Sequence, residues 1–332
     1  MTSLQDTVRQ HGQRIEELLL EEIPQNAVPF VSEGVWYQFA SGGKRLRPAL
    51  CLLSCDLFGG KSQDALQFAL ATELLHNFFL VHDDIEDGDT MRRDRPTLWS
   101  EVGMANGINI GDYLLAKAYA VIFKSPLSAE TILELGKIFS STFERTVEGQ
   151  ALDINLRGSR DVGLEVYYRI VQLKTAYYLA VTWVGGAIIA GRSRETLDPL
   201  WELGKCLGPA FQIRDDLLDL TDGKGRGGEI GCDLREGKPS ILYAYALDRE
   251  VGSTEERERL RDIMSKSREE TGTDDVNWAI KFFDRTGALD FARKEASKLI
   301  ERADQVIDSL PLDEAGREVF RTVSRYIVER KT

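Results

Sequence analysis

The chain has 332 residues, of which 42% are hydrophobic, 29% charged and 9% aromatic, a balance that excludes a disordered, collagenous or disulfide-built protein. A formal net charge of −12 excludes a general binder of nucleic acid or anionic membrane, because either would require a basic face. An anionic small ligand would need local clusters of Lys and Arg instead. The four cysteines, Cys51, Cys55, Cys206 and Cys232, form no C-x-x-C pair. Cys51 and Cys55, four apart in an apolar run, read as small buried side chains in a reducing compartment.

The first segment, MTSLQDTVRQHGQRIEELLLEEI, lacks the apolar stretch of a signal peptide and is too acidic for a transit peptide. It predicts an exposed amphipathic helix over 3–22 that contains His11. Helical periodicity then recurs over 26–40, 47–58, 62–87, 106–124, 128–156, 161–191, 195–220, 238–249, 255–268, 274–286, 287–309 and 312–330, with Gly, Pro and Asp at the breaks. The longest uncharged run, 175–191, is short for a membrane span and contains Thr, Trp and three glycines, so it reads as a buried core helix. No stable membrane insertion and a cytoplasmic location are expected. Alternating strand patterns, fixed-period repeats and flexible linkers are absent, which predicts a single all-α domain over 1–332 without a sheet.

Two stretches carry the chemistry: Asp83-Asp84-Ile85-Glu86-Asp87 and Asp215-Asp216-Leu217-Leu218-Asp219. Each is D-D-x-x-D and each ends an apolar helical segment. Residues four apart share a helix face, so Asp83 and Asp87 project together, as do Asp215 and Asp219. Like charges at that spacing repel, and a hard divalent cation, magnesium above all, repays the cost. With 26 Asp in the chain, chance gives roughly 0.16 such patterns, so two arise by accident about once in a hundred sequences.

Cations occur in two clusters, GGKRLRP at 42–48 and Arg92, Arg93 and Arg95 just after the first aspartate motif. Glycine lets backbone approach a ligand, and Arg captures phosphate oxygens bidentately. Two nucleotide-like patterns fail: Gly59-Gly60-Lys61-Ser62 lacks the first glycine of a P-loop, and Gly223, Gly225 and Gly228 have no preceding strand. His76 and His82 flank the run into Asp83 without a partner at zinc spacing.

With these residues in place, the chain resembles the trans-isoprenyl diphosphate synthases (polyprenyl synthetases). The matching stretches are GGKRLRP at 42–48, ELLHNFFLVHDDIEDGDTMRRDRPTLW at 73–99, EGQALDI at 148–154, KTA at 174–176, GPAFQIRDDLLDL at 208–220 and GCDLREGKPS at 231–240. The resemblance implies an isoprenoid synthase fold, a helical bundle around a central active-site cavity, and a homodimer. It implies three Mg2+ ions per site on Asp83, Asp84, Asp87, Asp215 and Asp219, with Asp83, Asp87 and Asp215 as direct ligands and Asp216 beside them. Arg92, Lys174 and Lys238 would grip an allylic diphosphate, dimethylallyl or geranyl, while Lys44, Arg47, His76 and Arg93 would hold isopentenyl diphosphate. Thr175 and Gln212 correspond to polar residues near the developing carbocation. The implied reaction is ionisation, condensation and elimination, with the diphosphate leaving group as proton acceptor. One departure is Gly228, where the family has a lysine; either Lys224 or Arg226 reaches in from the glycine-rich loop, or the contact is missing.

Phe79 lies four residues before Asp83, nearly one turn deeper on the same face, with Phe78 on the adjacent flank and Leu75 two turns down. Family members place bulky rings at these positions to stop chain growth, so the expected product is fifteen-carbon farnesyl diphosphate. Twenty-carbon geranylgeranyl diphosphate is the alternative. A class I terpene cyclase would carry a different second motif and would not need GGKRLRP, and a non-catalytic regulatory subunit would be expected to lose one aspartate motif.

Overall fold

The computed structural model describes residues 4–43, 45–221 and 230–328. Helices run in the order α1 (Leu4–Glu22), α2 (Val31–Ala40), α3 (Leu46–Leu57), α4 (Leu66–Glu86), α5 (Leu98–Val102), α6 (Met104–Phe123), α7 (Ala129–Asn155), α8 (Leu164–Val171), α9 (Tyr177–Ile189), α10 (Arg194–Asp219), α11 (Cys232–Arg235), α12 (Ile241–Asp248), α13 (Thr254–Ser265), α14 (Thr273–Arg285), α15 (Ala288–Asp308) and α16 (Glu314–Val328). The all-α expectation holds with one correction. Met91–Arg92 (β1) and Arg95–Pro96 (β2) pair antiparallel around Arg93 and Asp94, both at positive φ. Two such residues make the primed hairpin turn whose twist suits the strands, and two-residue strands are too short to show alternation in sequence. The helix expected over 161–191 is also divided: a π-helical segment, Gln172–Ala176, joins α8 to α9.

The chain falls into two compact units, Met1–Ser141 with Val181–Leu200 and Pro311–Val319, and Thr142–Ala180 with Trp201–Leu310 and Phe320–Thr332. In the first, Gly185 and Gly186 of α9 let its backbone lie directly on α4 and α3: a Cβ on Gly185 would overlap the Phe68 ring, and one on Gly186 would come within 2.9 Å of the Cys55 nitrogen. Ser54 donates to the Trp183 carbonyl at 2.7 Å, and Trp183 Nε1 to the Leu200 carbonyl at 3.0 Å. Buried Phe68 meets Phe139 edge-on at 6.2 Å. Cys51 and Cys55 are buried free thiols, as expected. His11 lies on the buried face of amphipathic α1, and burial, with Arg14 nearby, depresses its pKa.

Small residues also bring α6 onto the end of α4. A Cβ on Gly111 would lie 2.5 Å from the His82 ring, and one on Gly107 would lie 3.2 Å from Ile85. In the second unit, Tyr167, Ile213, Tyr243, Leu260, Phe282 and Phe283 form a continuous core beneath the α10 aspartates. Among the described residues, no helix is long and apolar enough to cross a membrane.

Gly185→Ala is expected to destabilise by about 1–3 kcal/mol, because Phe68 is packed on all sides and cannot yield. Gly136→Ala on α7, whose new Cβ would meet only Phe123 at 3.9 Å, should be neutral or stabilising by up to about 1 kcal/mol. Urea denaturation of the two variants checks the contrast.

Candidate active site

The first aspartate motif occupies the last turn of α4 and ends in a glycine-capped stop. Gly88 (φ 66) donates to the Ile85 carbonyl at 3.2 Å, and Asp89 donates to the Asp84 carbonyl at 2.9 Å. This is the paired bonding of a Schellman motif, and it explains the glycine in DDIEDGD. Adjacent helical residues point about 100° apart, so Asp83 and Asp84 diverge. Asp83 and Asp87 remain half-exposed, whereas Asp84 is 1% exposed. Arg92, delivered by the hairpin, donates through Nε to Asp84 at 2.5 Å and through Nη2 to Asp83 at 3.3 Å. Burial raises the Asp84 carboxyl pKa to about 6, although Arg92 pulls the other way. The hairpin is itself tied down, since the Asp89 carbonyl accepts from Thr97 Oγ1 and Trp99 Nε1, each at 2.8 Å.

Around this turn the basic clusters converge. Arg47 Nη1 lies 3.4 Å from His76 Nε2. A guanidinium only donates, so His76 accepts as a neutral ring with its proton on Nδ1. Burial first, then the charges of Arg47, Arg93, Arg92 and Arg45, hold its pKa well below the usual imidazole value. Exposed Arg93 donates to the Gly42 carbonyl. Arg95 donates to the Ala40 carbonyl at 2.7 Å and stacks 4.9 Å over Tyr37. An acidic protein thus gathers its cations locally, as the composition required. Phe78 is buried with its ring 4.4 Å from His82 and 5.1 Å from Phe79, while Phe79 keeps partial exposure one turn before Asp83. Leu75 is fully buried.

In the second unit, Asp215 is half-exposed and Asp216 is buried. Asp216 accepts from Tyr167 OH at 3.0 Å, the Ile241 amide at 2.9 Å and Gln212 Nε2 at 2.9 Å. Asp219 is fully buried, and its carboxylate accepts from the Asp233 amide at 3.1 Å. Lys174 stands on the π-helical segment and binds Asp153 at 2.8 Å, with Arg157 3.9 Å from the same carboxylate. A Cβ on Gly149 would lie 2.5 Å from the Lys174 nitrogen, and one on Gly208 would lie 2.6 Å from Ala176 Cα. These glycines let α7 and α10 close on the widened turn that carries Lys174 and Thr175. Lys238 pairs with Glu236 at 2.7 Å, and Arg268 approaches that carboxylate at 3.3 Å.

Lys44 and Lys224, together with the Gly228 departure, lie outside the described residues. Sequence reasoning passed over Asp153, Glu236 and Tyr167, which hold Lys174, Lys238 and Asp216. Only Asp153, inside EGQALDI, and Glu236, two residues before Lys238, carried a signal. No group of three or more His, Cys, Asp or Glu among the described residues is gathered to hold a metal ion. The donor set still suits magnesium, a hard cation that takes one or two carboxylates and completes its shell with water and phosphate oxygens. Both motifs also end helices, where the macrodipole is negative and a cation is favoured.

The polyprenyl synthetase family model matches residues 28–282. A short chain isoprenyl diphosphate synthase of Methanothermobacter thermautotrophicus is 32% identical over 332 residues, covering 100% of both chains. The geranylgeranyl pyrophosphate synthetase of Pyrococcus horikoshii superposes with a TM-score of 0.90 at 30% identity, over 99% of this chain and 98% of that one. The geranylgeranyl pyrophosphate synthase of Corynebacterium glutamicum, solved with isoprenyl diphosphate and magnesium, superposes with a TM-score of 0.84 at 28% identity, over 98% of each chain. Helical fold, paired aspartate motifs and basic clusters define a prenyltransferase. The chain belongs to the polyprenyl synthetase family and is a trans-prenyltransferase of the isoprenoid synthase fold.

The unequal roles of adjacent aspartates can be separated by stability. Asp216→Ala strands the buried Tyr167 hydroxyl and Ile241 amide and is expected to cost about 2–4 kcal/mol, whereas half-exposed Asp215→Ala should stay within about 0.5 kcal/mol. Thermal denaturation without metal or substrate checks the difference.

Proposed function

We propose that this short-chain trans-prenyl diphosphate synthase condenses isopentenyl diphosphate with an allylic diphosphate and releases geranylgeranyl diphosphate as its main product. The observation that carries the reaction is the matched pair of helix ends, each offering a half-exposed aspartate (Asp83, Asp215) beside a buried one (Asp84, Asp216). Asp83, Asp87 and Asp215 are assigned as the principal magnesium ligands, with Asp84 and Asp219 beside them and three ions as the expected complement. Bound magnesium neutralises charge that develops on the diphosphate oxygens.

The chain's own residues supply the rest. Arg92, Lys174 and Lys238 donate to the allylic diphosphate as its C–O bond breaks and the electron pair leaves with it. Thr175 and Gln212 present oxygen dipoles toward the allylic cation. Arg47, Arg93, neutral His76 and Lys44 orient isopentenyl diphosphate so that its double bond forms the new C–C bond. The proton lost from its C2 passes to the departed diphosphate, so no side-chain base is needed. The whole chain acts as one catalytic domain. Met104, Ile108 and Phe123 of α6 and Leu133 of α7 are exposed apolar side chains that a homodimer would cover.

The twenty-carbon product is favoured by the names of the similar proteins, and of the two rings only Phe79 keeps partial exposure while Phe78 is buried against His82. The second reading is farnesyl diphosphate, for which the adjacent rings of Phe78 and Phe79 speak. Chromatography of products formed from labelled isopentenyl diphosphate and each allylic primer decides: mainly twenty-carbon product is expected, and a fifteen-carbon product overturns it. Phe79→Ala should lengthen the product while the protein stays folded, because a partly exposed ring leaves little cavity.

Asp83→Ala should lower magnesium-supported turnover by on the order of 10²–10³ or more, the scale for losing one electrostatic stabiliser. Single-turnover assays of the purified chain measure this. Near wild-type turnover would remove Asp83 from the assignment and revive a non-catalytic role for the motif.

A further inference from the structure

The residues assigned to isopentenyl diphosphate leave aside the guanidinium between them. Arg45 is only 8% exposed and sits at φ 46, immediately before α3. Its Nη1 donates to Glu73 at 3.1 Å, its Nη2 donates to the Phe39 carbonyl at 2.9 Å, and its Nε lies 3.4 Å from Glu16. The guanidinium also stacks 5.0 Å over the Phe39 ring. Glu73, 3% exposed, accepts from Asn77 Nδ2 at 3.4 Å as well. Arg45 therefore commits Nη1 and Nη2 to protein, while Nε makes no hydrogen bond and has only the Glu16 carboxylate nearby.

What this pair touches is the turn that carries the binding arginines. A Cβ on Gly43 (φ 135) would meet Arg45 Nη1 at 3.1 Å and Arg93 Nη1 at 3.2 Å, so the two guanidiniums press on one glycine. Arg93 donates to the Gly42 carbonyl, and Arg45 Nη1 lies 3.5 Å from that same oxygen. Two residues on, Arg47 opens α3 and reaches His76, itself one turn beyond Glu73 on α4. A buried ion pair seldom adds net stability over apolar side chains of equal volume, so packing alone does not account for a charge here. It does fix geometry, because the planar fork and the αL backbone admit one arrangement.

We infer that Arg45 and Glu73 form a buried positioning pair that sets the Gly42-Gly43 turn, so that Arg93 and Arg47 meet the diphosphate of the homoallylic substrate while Arg45 stays away from it. The inference rests on the assignment of Arg47 and Arg93 made above. It predicts an effect confined to one substrate.

The test is steady-state kinetics of the full chain with magnesium, both diphosphates varied in turn. The double variant Arg45→Met/Glu73→Gln removes both charges without stranding either and should keep its melting temperature within a few degrees. Its KM for isopentenyl diphosphate should rise about tenfold, one misplaced charge-assisted contact, with kcat and the allylic KM within about twofold. Arg45→Lys keeps the ion pair but not the fork and should fall between the double variant and wild type.

Coupling separates positioning from general loosening. Arg93→Ala should raise the isopentenyl diphosphate KM about tenfold in the native background but less than about threefold in the double variant, where Arg93 is already misplaced. If the double variant does not fold, the same comparison in the Arg45→Lys background serves. An unchanged isopentenyl diphosphate KM in the double variant, additive effects of the two changes, or equal rises in both Michaelis constants would overturn the inference and leave the substrate assignment standing. An Arg93→Ala variant with wild-type KM would overturn that assignment and the inference with it.

Discussion

Three carboxylates within five residues at the carboxyl end of a helix face two electrostatic penalties together. They repel one another at neighbouring positions, and they sit where the unpaired carbonyls already make the potential negative. A like-charge pair at i,i+4 spacing on a helix costs about 0.2–0.5 kcal/mol. The protein relieves this by unequal treatment of the two adjacent aspartates. Asp84 is buried under Arg92, and Asp216 is buried under Tyr167, the Ile241 amide and Gln212. Asp83, which also accepts from Arg92 Nη2 at 3.3 Å, and Asp215 stay half-exposed.

The same logic governs the basic side chains. A lysine or arginine near other cations cannot be oriented by burial alone, since a buried charge requires a partner. Asp153 holds Lys174, Glu236 holds Lys238, and Glu73 holds Arg45. Arginines stand beside two of these carboxylates, Arg157 at Asp153 and Arg268 at Glu236. Each lysine is thereby held in position by a carboxylate partner.

Glycines decide how closely the supporting helices approach. Gly107 and Gly111 bring α6 against the last turns of α4, and Gly149 and Gly208 bring α7 and α10 against the π-helical segment. None of these glycines has a positive φ. What they supply is the absence of a Cβ, a requirement set by the neighbouring helix and invisible along a single strand of sequence.

By itself, the sequence determined the helical class, most helix positions, the two aspartate motifs and the local gathering of arginines. These depend on periodicity, spacing and composition, which are properties of a chain read in order. Folding decided which member of each motif faces outward, because that depends on what packs over it. Arg45 and Arg47 look alike in GGKRLRP, yet one is buried on Glu73 and the other meets His76. The small hairpin around Arg93 and the π-helical turn around Lys174 arise from local backbone geometry too short to leave a periodic trace. Long-range partners, Glu73 for Arg45 and Tyr167 for Asp216, lie 28 and 49 residues away in sequence, and only tertiary structure brings such side chains within hydrogen-bonding distance.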